Sequence, residues 1–126
     1  MNRRRISSGS AWEERGGYSR AVVADNHVYV AGTAPIMPGD ADPPSEVYAQ
    51  AKRCLEIIAA ALEEAGASFD DVVRTRLFVT EAAFMQDVLV VHGEVFADAR
   101  PACTGIVTRL ADPRWLVEIE VEAVLA

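Results

Sequence analysis

The feature that most constrains the fold is the alternating segment at the end of the chain, residues 116–125. Apolar and acidic side chains alternate strictly there, with Val117, Ile119, Val121 and Ala123 between Glu118, Glu120 and Glu122. Because successive side chains of a β-strand point to opposite faces, the segment predicts a strand with one face in a hydrophobic core. The other face of that strand carries three carboxylates.

The rest of the pattern predicts a mixed α/β (α+β) domain in the order β, β, β, α, β, α, β, β. Strands are expected at residues 3–6, 18–24, 27–31, 72–79, 102–108 and 116–125, and the second and third form a hairpin around Asp25-Asn26. Residues 35–44 contain four prolines and predict a surface loop. We treat residues 1–126 as a single domain, in which residues 1–16 form an irregular N-terminal segment with a short edge strand.

Two amphipathic helices are predicted. The first runs from an N-cap at Ser45 to a left-handed stop at Gly66, and the second starts at Thr80 and Glu81 and ends before Arg100. Both are expected on one face of the sheet, which leaves the other face bare. A small domain tends to bury such a face against another copy of itself, so the topology predicts a homo-oligomer.

Composition limits the functional class. Apolar residues make up 51% of the chain and no apolar run is long enough to cross a bilayer. No export signal follows the run 3–5 of arginines, so a cytoplasmic location is expected. The net charge of −7 disfavours a nucleic-acid partner, and the arginine run is interpreted as a solvated edge.

The three carboxylates of residues 116–125 permit two interpretations. Neighbours on one face lie about 6.5 to 7 Å apart, so on a desolvated face their repulsion would raise at least one pKa and create a general acid or base. Alternatively, the strand faces solvent and its charges are balanced by Arg74 and Arg76 of a neighbouring strand.

Metal and nucleophile signals are weak. The two cysteines, Cys54 and Cys103, are too few for a disulfide framework and lack zinc-site spacing. Cys103 would need His92 or Arg100 to form a nucleophilic thiolate, and a small space-filling cysteine is the alternative. Neither His92 nor His27 has a second ligand at helical spacing, and no phosphate-binding loop is present, so no metal and no cofactor are expected.

Several motifs, in order, resemble those of the Rid (YjgF) family, whose older label is endoribonuclease L-PSP. They are Gly17-Tyr18-Ser19-Arg20-Ala21-Val22, then Val28-Tyr29-Val30-Ala31-Gly32-Thr33-Ala34-Pro35, then Gln50-Ala51, Leu62-Glu63-Glu64-Ala65-Gly66-Ala67, Asp71-Val72-Val73-Arg74-Thr75 with Phe78-Val79, Arg100-Pro101-Ala102, and Val117-Glu118-Ile119-Glu120-Val121-Glu122-Ala123. The resemblance extends over nearly all of the chain from Tyr18 onward.

The resemblance implies a chorismate-mutase-like fold and a homotrimer with three clefts between subunits. It also implies hydrolysis of enamine and imine intermediates to 2-keto acids and ammonia without metal or cofactor. By the same resemblance, Tyr18 and Gly32 are cleft residues that bind substrate, and Glu120 is the acid that positions the attacking water.

One position departs from that family pattern. Deaminating members carry an arginine directly after Pro-Ala, which pairs with the substrate carboxylate, whereas this chain has Cys103 followed by Thr104. We therefore expect an altered substrate, bound with Cys103, Thr104 and Arg100 in the cleft. The alternative is a non-catalytic small-molecule-binding or protein-interaction module, and endoribonuclease action ranks last because the chain is acidic.

Overall fold

The computed structural model describes residues 2–126 and contains one mixed sheet of six strands. The strands are β1 (Arg3–Ile6), β2 (Ala21–Ala24), β3 (His27–Thr33), β4 (Val72–Val79), β5 (Ala102–Val107) and β6 (Val117–Val124), and the helices are α1 (Ala11–Gly16), α2 (Val47–Glu64) and α3 (Met85–Val95). Their order across the sheet is β1-β2-β3-β6-β4-β5. Only β4 and β5 pair in parallel, because α3 carries the chain back between them.

Strand β6 lies inside the sheet, between β3 and β4, and confirms the alternation expected from the sequence. Val117, Ile119, Val121 and Ala123 are all at most 1% exposed. The buried face of α2, with Ile58 and Leu62, and the buried face of α3, with Val88 and Val91, belong to the same core cluster as these residues. The apolar half of the alternation thus fixes which face of the sheet receives the helices.

The predicted hairpin is present, with Asp25 in the left-handed region at φ 53° between β2 and β3. Strand β1 pairs with β2 at the edge of the sheet, as expected. Strand β2 is shorter than predicted, since it begins at Ala21 rather than at Tyr18.

Helix α1 was not predicted, because residues 1–16 were expected to be irregular apart from the edge strand. Ser10 caps it through a hydrogen bond accepted from the Trp12 backbone, and Gly17 ends it at φ 70°. Six residues show too little periodicity to be recognised, and so short a helix depends on tertiary contacts. The decisive contact is the buried ion pair of Glu13 with Arg20, at 3.3 Å.

The helix boundaries differ from expectation at three points. Ser45 is not the N-cap of α2, since Glu46 holds that position without a side-chain hydrogen bond. Instead, the buried Gln50 amide donates to the Pro44 carbonyl at 2.8 Å and accepts from the Leu116 backbone at 2.8 Å. Helix α3 begins at Met85 and ends at Val95, inside the predicted limits. Gly66 has φ 83° and ends α2, the first of the two predicted helices, as expected.

Neither α2 nor α3 covers the opposite face of the sheet. We call this the open face, and its residues follow from the strand registers: Tyr29, Arg74, Arg76, Phe78, Thr104, Glu118, Glu120 and Glu122. Within residues 2–126 no helix is long and apolar enough to span a membrane.

Candidate functional site

A polar row crosses three adjacent strands of the open face. Arg76 of β4 is paired in register with Glu120 of β6 on one side and with Thr104 of β5 on the other. Neighbouring strands lie about 4.8 Å apart, so the backbones at Glu120 and Thr104 are about 10 Å apart with Arg76 between them. A small ligand can therefore contact both ends of the row.

Arg76 holds two of the three predicted carboxylates. Its Nη1 lies 2.5 Å from Glu120 Oε1 and 3.2 Å from Glu122 Oε1, and each of the three side chains is about one-third exposed. Hydrogen bonds to Glu122 and Glu120 raise the pKa of Arg76 above its ordinary value. This confirms the interpretation that an arginine on the neighbouring strand balances these charges, and it leaves both carboxylates as hydrogen-bond acceptors.

Tyr18 and Glu120 line one depression in the open face, of about 410 Å³, together with Tyr29 and Glu122. Tyr18 is 44% exposed, and the Arg20 guanidinium lies 5.6 Å from the centre of its ring. Since Arg20 is itself buried and bonded to Glu13, the ring rests on a fixed support. A planar ligand entering the depression meets the ring on one side and the carboxylates on the other.

Glu118 differs from the other two carboxylates. Burial raises its pKa, the charge of Arg20 acts in the opposite direction, and the charge of Glu120 adds to the increase. The sequence predicted that like-charge repulsion would raise at least one of the three pKa values on a desolvated face; the pKa of Glu118 is raised, but mainly by burial. Glu118 holds its proton more tightly than an ordinary glutamate.

Gly32 makes room for the Glu118 side chain. A Cβ placed at Gly32 would overlap the Glu118 carboxylate, so no larger residue fits without moving it. The Gly32 carbonyl accepts a hydrogen bond from Arg20 Nη1 at 2.8 Å. In the single chain, Gly32 therefore gives its backbone oxygen to Arg20 and leaves space for the Glu118 side chain.

Cys103 lies away from this row. It pairs in register with Thr75, whose fully buried side chain faces α3, so Cys103 points to the helix side although β5 leaves it exposed. His92, its proposed base, is hydrogen-bonded through Nε2 to Thr75 Oγ1 at 2.8 Å, and burial lowers its pKa. Arg100 is an exposed residue before β5, with φ 46°.

Comparison with known proteins identifies the family. Residues 8–125 match the family model described as Endoribonuclease L-PSP. An uncharacterised protein of Streptomyces coelicolor is 38% identical over 125 residues, which cover 95% of this chain and 90% of that protein. A RutC family protein of Pyrococcus abyssi is 36% identical, covering 83% of this chain and 84% of that protein.

The chain belongs to the endoribonuclease L-PSP family, also known as the YjgF or Rid family. A Mycobacterium tuberculosis structure, described as a member of the highly conserved YjgF/YER057c/UK114 family, superimposes with a TM-score of 0.89. Its sequence is 40% identical, and the match covers 98% of this chain and 100% of that one. The mixed sheet with helices on one face is therefore the fold of this Rid family.

Among the Rid-type positions predicted from sequence, the single chain brings Tyr18 and Glu120 into one depression and sets Thr104 at the far end of the same row. Cys103 and Arg100 are not brought to that row within one subunit. The sequence indicated Arg76 only together with Arg74, and it did not distinguish Glu118 from the other two carboxylates. Alternation placed Glu118 on the open face, but only the folded chain shows that it is half-buried and close to Gly32.

Proposed function

We propose that this Rid family protein is a homotrimer that binds a small metabolite in clefts between its subunits and hydrolyses an enamine or imine there. The observation that carries the proposal is the Glu120 carboxylate, fixed by Arg76 in the same depression as Tyr18. A positioned carboxylate accepts a hydrogen bond from water and can take its proton. Glu122 is a second carboxylate held by Arg76 in the same depression, and the Rid resemblance selects Glu120 of the two.

The chemistry requires only water and proton transfers. The water oxygen attacks the C=N carbon, the π electrons move to nitrogen, and Glu120 takes the water proton. Glu120 passes that proton to the nitrogen, and a second proton from Glu118 makes the nitrogen a leaving group. The C–N bond breaks and releases ammonia. The remaining hydroxyl becomes the product carbonyl, and its proton passes through Glu120 back to Glu118. Glu118, with its raised pKa, is suited to hold a proton near the departing nitrogen.

The oligomer is supported by the open face. A single copy leaves Tyr18 and Tyr29 each 44% exposed there, beside an ion-paired cluster that is already two-thirds buried. A second copy placed on this face would remove the aromatic area from water and close the depression. Sedimentation should give a mass near three times the 13.6 kDa of one chain. A folded monomer at micromolar concentration would contradict the shared cleft.

The substrate is expected to lack the carboxylate of an ordinary 2-imino acid, or to bind it elsewhere. Cys103 cannot replace the two-pronged contact of an arginine, and its side chain lies on the helix side of β5. Loss of such a charged contact costs about 1.5 to 3 kcal/mol, or roughly one to two orders of magnitude in binding.

Ammonia release tests the reaction directly. The wild type is compared with Glu120→Gln on freshly generated 2-aminoacrylate and on imines that carry no carboxylate. Glu122→Gln is the matched control, because Glu122 shares the strand, the face and the Arg76 partner. We expect acceleration by the wild type and by Glu122→Gln but not by Glu120→Gln. Equal rates for the wild type and Glu120→Gln on every substrate would refute the assignment.

A non-catalytic binding module is the second candidate. It is favoured because Arg76 donates hydrogen bonds to both Glu120 and Glu122 and so holds both carboxylates in place. On this alternative, metabolites that raise the melting temperature would be recovered unchanged. Turnover of any ligand in the panel would exclude it.

A further inference from the structure

Besides the depression at Glu120, the protein has a cavity on the helix side of the sheet that is large enough for a small ligand. It has a volume of about 550 Å³ and is bounded by α1, by the loop at residues 36–40, by α2 and by the turn at residues 112–114. Because α2 forms one wall, the cavity is on the side of the sheet away from the open face.

Four arginines line this cavity: Arg15, Arg20, Arg53 and Arg114. They are a third of the 12 basic residues in a chain whose net charge is −7. Carboxylates pair with three of them: Glu13 with Arg20, Glu56 with Arg53, and three aspartates with Arg114. Within residues 2–126, Arg15 is the lining arginine that has no carboxylate partner. Its charge, and the guanidinium donors that the pairs leave over, favour an anionic ligand.

Three of the acidic residues hold Arg114. Arg114 lies within 3.3 Å of Asp40, 3.1 Å of Asp42 and 2.9 Å of Asp112. These contacts raise the pKa of Arg114 and leave it fixed as part of the wall. The hydrogen-bond donors available to a ligand therefore come from the other three arginines.

Each of those three arginines keeps donors unused. Arg15 uses Nε for the Ala11 carbonyl, Arg53 uses Nε for the Ile36 carbonyl and Nη1 for Glu56, and Arg20 uses Nε and Nη1. Within residues 2–126, no other hydrogen bond engages Nη2 of any of them or Nη1 of Arg15. Arg20 is 3% exposed, so its orientation is set by the fold before a ligand arrives.

The rest of the wall is apolar. Trp12, Ile36, Met37, Pro38 and Ile57 line the cavity between the arginines. Trp12 is 43% exposed in this structure, and its ring meets Trp115 edge to face with centroids 6.1 Å apart. A simple inorganic anion would leave this surface uncovered, whereas a ligand with an aromatic or branched body would cover it.

We propose that this cavity binds a small organic carboxylate with an aromatic or branched apolar body. The carboxylate is held by Arg15, Arg20 and Arg53, whose planar guanidinium groups suit it, and the body lies against Trp12 and Ile57. The cavity has a different lining from the depression at Glu120, although Arg20 also contacts the Tyr18 ring of that depression. The proposal does not depend on the reaction proposed there.

Benzoate is the probe, and tryptophan fluorescence is the readout. Trp12 lines the cavity and Trp115 contacts Trp12, and these are the two tryptophans of the chain. We expect a saturable change in fluorescence with benzoate. Benzamide, which has the body without the charge, and acetate, which has the charge without the body, should each bind at least about tenfold more weakly.

The variants Arg15→Gln and Arg53→Gln should each weaken benzoate binding by about tenfold or more. Arg4→Gln is the matched control, since Arg4 is exposed, donates to the Glu64 carbonyl and does not line the cavity. Circular dichroism checks the fold of each variant. Arg15 lies on the surface of the short helix α1, so that variant decides the question if Arg53→Gln is unstable.

Three results would overturn the proposal. One is the absence of a saturable change with benzoate. Another is benzamide binding as tightly as benzoate, which would show that the arginines do not recognise the charge. The third is Arg15→Gln binding benzoate as tightly as Arg4→Gln, which would place benzoate elsewhere, including the depression at Glu120.

Discussion

The Arg76 guanidinium lies 2.5 Å from the Glu120 carboxylate and joins β4 to β6 across the open face. Glu122 shares the same nitrogen at 3.2 Å. Two neighbouring anions therefore share one cation, while the third carboxylate of the strand, Glu118, is not ion-paired with Arg76. This asymmetry makes the three glutamates of β6 chemically different although the sequence presents them as a simple repeat.

Replacing Arg76 by methionine should lower the melting temperature at pH 7. Without the cation, Glu120 and Glu122 face each other and Glu118 as unbalanced like charges. The repulsion exists only while the carboxylates are ionised, so the deficit relative to the wild type should shrink as the pH is lowered towards about 4. Thermal unfolding followed between pH 4 and 8 measures it. A deficit that is independent of pH would mean that Arg76 acts through packing alone.

Glu118→Gln should stabilise the protein at neutral pH. The folded-state pKa of Glu118 is raised above the ordinary 4.5 by burial, so the ionised form is less favourable in the folded chain than in the unfolded chain. The contribution of Glu118 to the free energy of unfolding is fully present below the ordinary pKa, and it is lost as the pH rises through the raised folded-state pKa. The variant lacks that loss, so its advantage in melting temperature should appear above the ordinary pKa.

The control for this experiment is Glu122→Gln, because Glu122 is ion-paired with Arg76. It should give no stabilisation at pH 7. If Glu118→Gln and Glu122→Gln had the same pH profile, burial would not be what distinguishes Glu118.

Gly32→Ala should destabilise the protein through Glu118. The added Cβ overlaps the Glu118 carboxylate, which must move away from its position against β3. In a Glu118→Ala background the obstacle is gone, so the same substitution should cost less. Urea unfolding of the two single variants and the double variant gives the coupling, expected at about 0.5 to 3 kcal/mol. Additive effects would show that the glycine is needed for some other reason.

The two cysteines should react at very different rates. Cys54 is fully buried, burial raises its pKa, and its thiol lies 3.9 Å from the Val117 carbonyl, whereas Cys103 is exposed on β5. Titration with a disulfide reagent should release one equivalent from the native protein and two from the denatured protein. Cys103→Ser should abolish the native equivalent. Reaction of Cys54 at a comparable rate would indicate frequent opening of the core.

The alternation in residues 116–125 was sufficient to predict β6, its buried face and its acidic face, since side-chain direction in a strand depends only on parity. The same holds for the hairpin at Asp25 and the stop at Gly66, where local backbone preferences decide. The expected cap at Ser45 was wrong because Gln50 fixes that end of α2 through a local bond to the Pro44 carbonyl and two long-range bonds, to the Arg114 carbonyl and the Leu116 N–H.

The candidate site was only half determined by the sequence. Family resemblance named Tyr18 and Glu120, and the structure places both at one depression. The sequence could not show that Cys103 faces the helix side, because the side-chain direction on the edge strand β5 depends on its register with β4. The sequence also gave no signal for the cavity lined by Arg15, Arg20 and Arg53, which are far apart along the chain.

The sequence by itself determined what is local: the strand faces, the turn, the stop of the first helix and the order of the main elements. Tertiary structure decided which charges meet. The pairing of Arg76 with Glu120 spans 44 residues, and that of Arg20 with Glu13 forms only when α1 folds back on the sheet. The physical reason is that burial and distance set the strength of an electrostatic interaction, and both belong to the folded chain as a whole.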